Sequence, residues 1–473
     1  MIELNNISRI YFIGIGGIGM SALAKYFNAK GVKVSGYDKT PTTLTRQMES
    51  EGIEIHYEDS LDLLDKEAQL VVYTPAIPRN HGEFNFYLGN NYTVLKRSDV
   101  LQQITSDTFN ICIAGTHGKT TISTMVAHIL RDSDFGCTAF LGGVSVNYNT
   151  NFWYNDNNVC VVEADEFDRS FLKLRPDVAT ISAMDADHLD IYGTEEAMQQ
   201  AFIDFSGNIK SNGLLLTKFG LNKAEQFKST NHMQYSLQNS GADSYAANIR
   251  MKQGGYQFDM LTKDWMIDNV ELQMGGMHNV ENSVAAISIA HYLEIDSHKI
   301  KAAIKNFKGV KRRFEYVVHP STGIDEAKSK DVYIDDYAHH PEELKALINS
   351  AKSLFAEKRC VVIFQPHLFT RTRDLAKEFA ESLDLADEII LLPIYPAREL
   401  PIESVSSEMI LKNMKNKHCS VKTKEKLLNY LEDLISPDKK ENSKGNLFIT
   451  AGAGDIDALV TPIKNILTRD TEK

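Results

Sequence analysis

The sequence predicts an α/β protein built from two or three domains. The chain has 473 residues, more than the roughly 250–300 at which a single hydrophobic core stops growing. Short runs of strand-forming residues alternate with longer segments of helical periodicity, which is typical of parallel sheets covered by helices. Two glycine-rich loops, residues 14–19 and 115–120, each follow an apolar run. Two such loops indicate a protein that holds two phosphorylated molecules.

The first loop is predicted to be a turn between a strand and a helix. Residues 10–13 are apolar, and helical periodicity begins at Met20. The glycines allow a tight turn, and the free N–H groups at the start of the helix attract an anion. After a second predicted strand comes Asp38, where a carboxylate can accept hydrogen bonds from ribose hydroxyls. This pattern suits the binding of NAD, FAD or a UDP-sugar. The alternative is a glycine turn that binds no ligand and only packs a helix on a strand.

The second loop is a shortened nucleotide phosphate loop between a predicted strand, residues 109–114, and a predicted helix, residues 121–130. Backbone N–H groups of its glycines can wrap phosphate oxygens. Lys119 can reach the β- and γ-phosphates, and the Thr120 hydroxyl can coordinate Mg²⁺. The usual eight-residue pattern has a glycine where this chain has Ile113.

Acidic residues follow two further predicted strands. Residues 158–162 lead into Glu163 and an acidic cluster, and residues 178–184 lead into a segment where His188 stands among aspartates. Because α/β sheets place ligand sites at the carboxyl ends of their strands, Glu163 is a candidate Mg²⁺ ligand. His188 is a candidate ligand in a site of mainly oxygen donors. A solvated acidic turn is the alternative for the cluster that begins at Glu163. For His188 the alternative is a turn residue paired to a neighbour.

Further motifs follow in a fixed order, at residues 278–282, 312–314, 335–341, 364–367 and 395–399. Together with the two loops and the acidic segments, they resemble the ATP-dependent Mur ligases of peptidoglycan synthesis over nearly the whole chain, and most closely the branch that adds alanine. The resemblance implies a Rossmann-like N-terminal domain, a central P-loop ATPase-type domain and a Rossmann-like C-terminal domain. The shortened phosphate loop is also the form that this family has.

The activity implied by the resemblance is amide ligation through an acyl phosphate. ATP would phosphorylate the lactyl carboxylate of UDP-N-acetylmuramate, and the amine of L-alanine would then displace phosphate. The cofactors implied are ATP and two Mg²⁺ ions. By family pattern, Thr120 and Glu163 would hold one ion and His188 would help to hold the other, while Lys119 would stabilise the moving phosphoryl group. Positioning and charge neutralisation are the protein's main tasks in such chemistry.

Binding residues are implied by the same resemblance. Those for ATP are Gly115, Thr116, His117, Gly118, Lys119, Thr120, Thr121, His278, Asn279, Asn282, Asp336 and Arg313, with Arg312 as the alternative arginine. Those for the UDP-sugar are Gly14, Gly16, Gly17, Gly19, Asp38 and Thr74. Those for the amino acid are Tyr337, His339, His367 and Arg371, whose guanidinium would pair with the alanine carboxylate. A helix cap is the alternative role for Asn279 and Asn282, and a surface pair is the alternative for Arg312 and Arg313.

Two residues depart from the family pattern. Ala183 stands where many relatives carry asparagine, which removes one polar side chain from the sugar site. Leu368 stands where some relatives carry arginine, which leaves Arg371 as the expected anchor of the carboxylate.

Domain boundaries are predicted near residues 107 and 313. Residues 1–107 would bind the UDP-sugar, residues 108–313 would bind ATP, and residues 314–473 would bind the amino acid. In the last of these, the predicted strands include residues 361–364, 388–392 and 446–449, and the predicted helices include residues 342–355 and 375–383.

Composition narrows the function classes. Hydrophobic residues make up 43% of the chain, and no stretch approaches the roughly 18 apolar residues of a membrane span. With no basic and apolar leader at its start, the protein is expected in the cytoplasm without membrane insertion. The net charge of −12 disfavours nucleic-acid binding. Cys112, Cys160 and Cys360 fall in predicted strands and are expected to be small buried residues in a reducing compartment.

Three other functions remain open at this point. A related ligase that attaches a recycled peptide instead of alanine would need a larger pocket in the C-terminal domain. A nicotinamide-dependent oxidoreductase would explain the first loop and Asp38, but not the Lys119–Thr120 pair or the acidic cluster. A nucleotide-binding regulator would bind ATP without turning it over.

Overall fold

A computed structural model describes residues 3–186, 189–319, 330–397, 399–435 and 444–468. These residues form three sheets, and the chain divides into two compact units. The first unit comprises Met1–Ala247, Asp259–Asp268 and Glu281–Phe307. The second comprises Asn248–Phe258, Asn269–Val280 and Lys308–Lys473.

The N-terminal sheet has five parallel strands in the order β3-β2-β1-β4-β5. Its strands are β1 (Arg9–Ile13), β2 (Lys33–Tyr37), β3 (Glu54–His56), β4 (Leu70–Tyr73) and β5 (Val94–Lys96). Its helices are α1 (Ile18–Ala29), α2 (Thr43–Ser50), α3 (Gly82–Gly89) and α4 (Arg97–Thr105). Alternate residues of β1 belong to different cores, because Ile10 and Phe12 pack with Phe27 of α1, whereas Tyr11 packs with Tyr87 of α3. Helices therefore cover both faces of this sheet.

The central sheet has the strand order β15-β14-β13-β12-β11-β10-β6-β9-β7-β8 among the described residues. Its strands are β6 (Phe109–Ala114), β7 (Thr138–Ser145), β8 (Thr150–Trp153), β9 (Val159–Glu163), β10 (Val178–Ile181), β11 (Leu214–Lys218), β12 (His232–Ser236), β13 (Ser244–Lys252), β14 (Gly255–Thr262) and β15 (Met266–Leu272). Its helices are α5 (Lys119–Asp132), α6 (Leu189–Tyr192), α7 (Glu195–Ser206), α8 (Met277–Tyr292) and α9 (Ser297–Asn306). The strands from β12 to β7 are parallel, and β8 is antiparallel to β7.

The C-terminal sheet has the strand order β16-β17-β21-β18-β19-β20. Its strands are β16 (Glu315–Val318), β17 (Val332–Asp336), β18 (Arg359–Phe364), β19 (Glu388–Leu391), β20 (Cys419–Val421) and β21 (Asn446–Ala451). Its helices are α10 (Pro341–Leu354), α11 (Phe369–Asp374), α12 (Ala376–Leu383), α13 (Glu408–Asn413), α14 (Lys424–Ile435) and α15 (Val460–Thr468). Only β16 is antiparallel to its neighbour among these described strands. The predicted strands and helices of this region are confirmed within a few residues.

Strand order brings three of the predicted functional segments to one edge of the central sheet. β6 lies between β9 and β10, with Ile113 opposite Glu163 and Ala114 opposite Ile181. The phosphate loop after β6, Glu163 at the end of β9 and the segment after β10 therefore start from adjacent strand ends. The carboxyl edge of a parallel sheet is where such proteins bind ligands.

Cys112, Cys160 and Cys360 are buried in β6, β9 and β18, as predicted. Within the described ranges, no helix is both long and apolar enough to cross a lipid bilayer.

Candidate active site

The second glycine-rich loop is held by the segment that follows β10. The Thr116 N–H donates to the Ala183 carbonyl at 3.1 Å, and the Ser182 hydroxyl donates to the His117 carbonyl. Gly115 has φ of +129°, and a Cβ atom built there would lie 2.3 Å from Ser182 Oγ. Glycine is therefore required at this position by both conformation and space. Ala183, one of the departures from the family pattern, takes part here through its backbone.

Lys119 is oriented by two acceptors. Its Nζ donates to the Gly115 carbonyl at 2.6 Å and to Glu166 Oε1 at 2.7 Å. Glu166 has only 1% of its side chain exposed. Burial raises the pKa of Glu166, and the positive charge of Lys119 opposes that rise. Because an ammonium group has three N–H donors, one remains for a phosphate oxygen.

Glu163 is fixed at the end of β9 by two donors. Its Oε2 accepts the Gly142 N–H at 3.1 Å and lies 3.5 Å from the Ser123 hydroxyl. Ser123 lies one turn after Thr120 in α5 and also donates to the Thr120 carbonyl at 3.2 Å. A Cβ atom at Gly142 would lie 2.1 Å from Glu163 Oε1, so glycine makes room for this carboxylate.

Thr120 and Glu163 supply oxygen ligands of the kinds that Mg²⁺ accepts. Mg²⁺ is commonly held by one or two protein oxygens together with substrate phosphates and water. Over the part of the chain that the structure describes, no group of three or more His, Cys, Asp or Glu side chains is arranged to hold a metal ion. One hydroxyl oxygen and one carboxylate oxygen are compatible with a Mg²⁺ ion that also binds phosphates and water. His188 lies outside the described residues, so its role at a second ion stays a prediction.

One asparagine of α8 contacts the phosphate loop. A Cβ atom at Gly118, which has φ of +81°, would lie 2.8 Å from Asn282 Oδ1. Asn279 instead donates from Nδ2 to the Gly275 carbonyl at 2.7 Å, a bond that holds the turn before the helix. His278 lies against Gly276 in that same turn. Contact of His278 or Asn279 with a nucleotide stays a prediction.

The first glycine-rich loop is held by β2 and the residue after it. The N–H groups of Gly14 and Ile15 donate to the Tyr37 carbonyl at 2.8 and 2.9 Å. The Gly16 N–H donates to Asp38 Oδ2 at 2.7 Å. Asp38 therefore fixes the loop backbone in this structure, and its contact with a ribose stays a prediction.

A cavity of about 230 Å³ lies along this loop, within the first compact unit. Thr74 belongs to its wall and packs against the loop, because a Cβ atom at Gly14 would lie 2.7 Å from Thr74 Cγ2. The wall also includes Gly17, Gly19, Arg97, Glu163 and Asp165. One cavity thus borders both the first loop and the carboxylate proposed for Mg²⁺.

In the second compact unit, the predicted amino-acid residues form one aromatic and basic cluster. The His367 ring stacks on Tyr395 with 5.8 Å between centroids. His339 lies 6.2 Å from His367 and 5.2 Å from Tyr337. Burial lowers the pKa of His367, and the charges of Arg371 and His339 lower it further. An uncharged imidazole beside a guanidinium is compatible with a ligand that carries both a carboxylate and an ammonium group.

Two nitrogen atoms of this cluster are suited to a ligand. His367 Nδ1 and Arg371 Nη1 are buried and have no hydrogen-bond partner among the described residues. A buried polar atom without a partner costs about 1–3 kcal/mol. A polar ligand bound here would remove that cost.

Arg312 and Arg313 differ in their surroundings. Arg312 Nε lies 3.4 Å from Asp335 Oδ2, and its guanidinium lies 5.2 Å from the centre of the Tyr337 ring. Arg313 is exposed. Of the two side chains, that of Arg313 is the more accessible to a ligand. Contact of Arg313 with ATP stays a prediction.

The carboxylate of Asp336 is occupied by backbone donors. It accepts the N–H groups of Phe314 and Ala338, both at 2.7 Å. These bonds hold the chain on both sides of β17. The predicted contact of Asp336 with a nucleotide remains untested.

Known proteins are similar to this chain over its whole length. A UDP-N-acetylmuramate–L-alanine ligase of Flavobacterium johnsoniae is 43% identical over 472 residues, covering 99% of this chain and all of the relative. Family models match in order as "Mur ligase family, catalytic domain" at residues 9–108, "Mur ligase middle domain" at 113–290 and "Mur ligase, glutamate ligase domain" at 312–454. The chain belongs to the Mur ligase family.

Solved Mur ligases share its fold. The structure of a UDP-N-acetylmuramate-alanine ligase from Thermotoga maritima matches with a TM-score of 0.80 at 28% identity, covering 96% of this chain and 98% of that one. A murein peptide ligase from Psychrobacter arcticus matches with a TM-score of 0.65 at 22% identity, covering 97% and 98%, which shows the fold alone. The predicted three-domain α/β architecture is confirmed. The boundaries at residues 107 and 313 stay predictions.

Three residues that line or support this Mur ligase site were not predicted from the sequence. Glu166 belongs to the acidic cluster, but nothing in the pattern pairs it with Lys119. Arg97 belongs to no predicted site, although the basic pair Lys96–Arg97 at the junction of β5 and α4 is a usable signal. Tyr395 belongs to a family motif that gives it no role here, and its stacking on His367 has no local signal.

Proposed function

We propose that this protein is an ATP-dependent amide ligase that joins L-alanine to the lactyl carboxylate of UDP-N-acetylmuramate through an acyl phosphate, in peptidoglycan precursor synthesis. The observation that carries the proposal is the arrangement around Lys119. This lysine lies at the start of α5, after a glycine loop, with two acceptors fixing its Nζ. Relatives that are more than 40% identical over their full length, named for this activity, support the choice of substrates.

Phosphoryl transfer is the first chemical step. A lactyl carboxylate oxygen attacks the γ-phosphorus of ATP, the bond to the β,γ-bridging oxygen breaks, and ADP leaves. Lys119 donates to an oxygen of the transferred group, and the backbone N–H groups of residues 115–120 hold the other phosphates. Thr120 and Glu163 would hold Mg²⁺, which neutralises charge on the phosphates.

Amide formation is the second step. The amine nitrogen of alanine attacks the acyl carbon, and a tetrahedral intermediate expels inorganic phosphate. The alanine ammonium group must lose one proton to solvent before the attack. Its nitrogen loses a second proton to solvent or to the departing phosphate as the tetrahedral intermediate collapses to the amide. Arg371 is proposed to hold the alanine carboxylate as a bidentate pair. His367, whose pKa is lowered, would not repel the alanine ammonium group on entry.

The division of labour along the chain is proposed from the positions of these groups. Residues 1–107 would bind the UDP-sugar, residues 108–313 would bind ATP and residues 314–473 would bind alanine. Because ATP and UDP-sugars are cytoplasmic metabolites, the cytoplasm is the proposed place of action.

Oxygen-isotope transfer tests the acyl phosphate. UDP-N-acetylmuramate labelled with ¹⁸O in its lactyl carboxylate should transfer one ¹⁸O atom to each phosphate released, because a carboxylate oxygen leaves with the phosphorus. Released phosphate without label, alongside amide product, would contradict the acyl-phosphate route.

A further inference from the structure

The guanidinium of Arg97 occupies the space left by a glycine of the first loop. Arg97 begins α4 directly after β5. A Cβ atom built on Gly19 would lie 2.6 Å from Arg97 Nη1 and 3.2 Å from its Cζ. Gly19 lies in the first turn of α1, two residues after the N-cap residue Gly17. Any larger residue at position 19 would therefore displace this guanidinium from the start of α1.

On its other side, Arg97 faces Asp165 through a loose ion pair. Arg97 Nη2 lies 3.6 Å from Asp165 Oδ2, and the two side chains are 21% and 38% exposed. This distance exceeds that of a good hydrogen bond, and partly exposed ion pairs contribute little. Asp165 is also held independently of Arg97, because its Oδ1 accepts the Phe167 N–H at 3.1 Å. The pair can therefore open without disordering the acidic segment.

Arg97 and Asp165 both line the 230 Å³ cavity along the first loop. The Gly17 N–H already donates to the Gly14 carbonyl at 3.2 Å. An anion in this cavity at the start of α1 would instead meet the N–H groups of the helix's first turn and the positive end of its dipole. It would also meet a guanidinium, whose planar fork matches phosphate oxygens. A diphosphate is the part of a UDP-sugar that fits three such features at once.

We propose that Arg97 exchanges partners, leaving Asp165 to bind the diphosphate of the UDP-sugar. This inference rests on the proposed function and adds a residue that the sequence analysis did not assign. Asp165 competes with the substrate for the same guanidinium. Removal of Arg97 and neutralisation of Asp165 should therefore change substrate affinity in opposite directions, which a purely structural ion pair would not do.

Calorimetric binding of two UDP-sugars tests the exchange. UDP-N-acetylglucosamine carries the diphosphate without the lactyl carboxylate, whereas UDP-N-acetylmuramate carries both. Arg97→Ala should weaken binding of both by about tenfold or more, as expected for a charge-assisted hydrogen bond. Asp165→Asn should tighten both by about 2–5-fold, the range of an exposed ion pair. Arg97→Lys, which keeps the charge but loses the fork, should fall between Arg97→Ala and the parent protein.

Gly19→Ala tests the position of the Arg97 guanidinium in a second way. In the parent protein this change should weaken UDP-sugar binding by displacing the guanidinium. In the Arg97→Ala background it should have little further effect, because no guanidinium remains to displace. Lys33→Ala is the matched control, since it removes an exposed positive charge at the amino end of β2, the opposite edge of the same sheet. It should leave both affinities within about twofold.

Several results would overturn the proposal. Weaker binding of UDP-N-acetylmuramate alone would assign Arg97 to the lactyl carboxylate instead of the diphosphate. Parent-like affinities in Arg97→Ala, or weaker binding in both Arg97→Ala and Asp165→Asn, would remove the exchange but leave the proposed function intact. Failure of the parent protein to bind UDP-N-acetylmuramate would overturn the proposed function together with this inference. Melting temperatures close to the parent's are required of each variant, and Arg97→Lys serves if Arg97→Ala does not fold.

Discussion

Lys119 Nζ donates to Glu166 Oε1 at 2.7 Å, and this contact joins the phosphate loop to a carboxylate that is almost fully buried. The Gly115 carbonyl, 2.6 Å from the same nitrogen, is the second acceptor. Two of the three N–H donors are thus directed into the protein, and the remaining one is left for a phosphate oxygen. A lysine side chain loses considerable conformational entropy when it is held in one position, and the two acceptors offset that loss here. Glu166 therefore positions Lys119 before a nucleotide arrives.

The first prediction concerns this pair. Lys119→Ala should abolish phosphate release. Glu166→Ala should lower kcat/KM for ATP by about tenfold or more, since one charge-assisted bond that orients Lys119 is lost. Glu166→Gln should recover most of that loss, because its amide oxygen remains an acceptor at the same place. Steady-state phosphate release at varied ATP measures all three, and equal losses in Ala and Gln at position 166 would contradict a positioning role.

The second prediction concerns Mg²⁺. Glu163→Gln should raise the Mg²⁺ concentration needed for half-maximal activity by about tenfold or more, because a charged ligand is replaced by a neutral one. Gly142→Ala should have the same effect by moving the carboxylate, given that its Cβ would lie 2.1 Å from Glu163 Oε1. Asp156→Asn is the control, because Asp156 is an exposed acid before the other end of β9. An unchanged Mg²⁺ requirement in Glu163→Gln would remove Glu163 from the metal site.

The third prediction concerns the amino-acid site. Arg371→Ala should raise the KM for alanine by about tenfold or more while the KM for ATP changes little, because the carboxylate loses its bidentate partner. Arg373→Ala is the matched control, since Arg373 lies in the same helix and pairs with the exposed Asp374. An alanine KM that changes equally in both variants would place the carboxylate anchor elsewhere.

The fourth prediction concerns pH and stability. Burial raises the pKa of Asp335 to about 7, despite the opposing charge of Arg312. Between about pH 4 and pH 7 the folded protein therefore holds a proton that the unfolded chain has lost, and stability falls as pH rises. Asp335→Asn removes this titration and keeps an acceptor for the Thr450 hydroxyl.

The free energy of unfolding of Asp335→Asn, relative to the parent, should therefore rise across this pH window by at most about 1.4 kcal/mol per pH unit. Denaturant unfolding at several pH values measures the difference. A difference that falls with rising pH would mean that Arg312 lowers the pKa of Asp335 more than burial raises it.

The parts of the site that could be predicted are those formed by residues adjacent in the sequence. The glycines, Lys119 and Thr120 follow one another between a strand and a helix, so their geometry could be predicted locally. The helix α5 begins at Lys119, two residues before its predicted start. Glu163 could be found because it ends a run of strand-formers.

Contacts between distant segments could not be predicted in this way. Arg97 lies 78 positions after Gly19, and Glu166 lies 47 after Lys119. Their meeting depends on how helices and sheets pack, and no local periodicity encodes it. Asp38 shows that a motif position alone does not define the role of a side chain. Its position predicts a ribose ligand, whereas in the structure its carboxylate accepts the Gly16 N–H. A carboxylate at a strand end can serve the backbone, a ligand or both.

Phosphate release from Mg²⁺-ATP in the presence of UDP-N-acetylmuramate tests the central claim most directly, measured with no acceptor, with L-alanine and with an L-alanyl-γ-D-glutamyl peptide. We predict release that depends on L-alanine and is matched mole for mole by amide product. Release with the peptide but not with alanine would contradict the proposed function and indicate a peptide-attaching ligase. No release with either acceptor, despite bound ATP, would contradict ligase activity altogether.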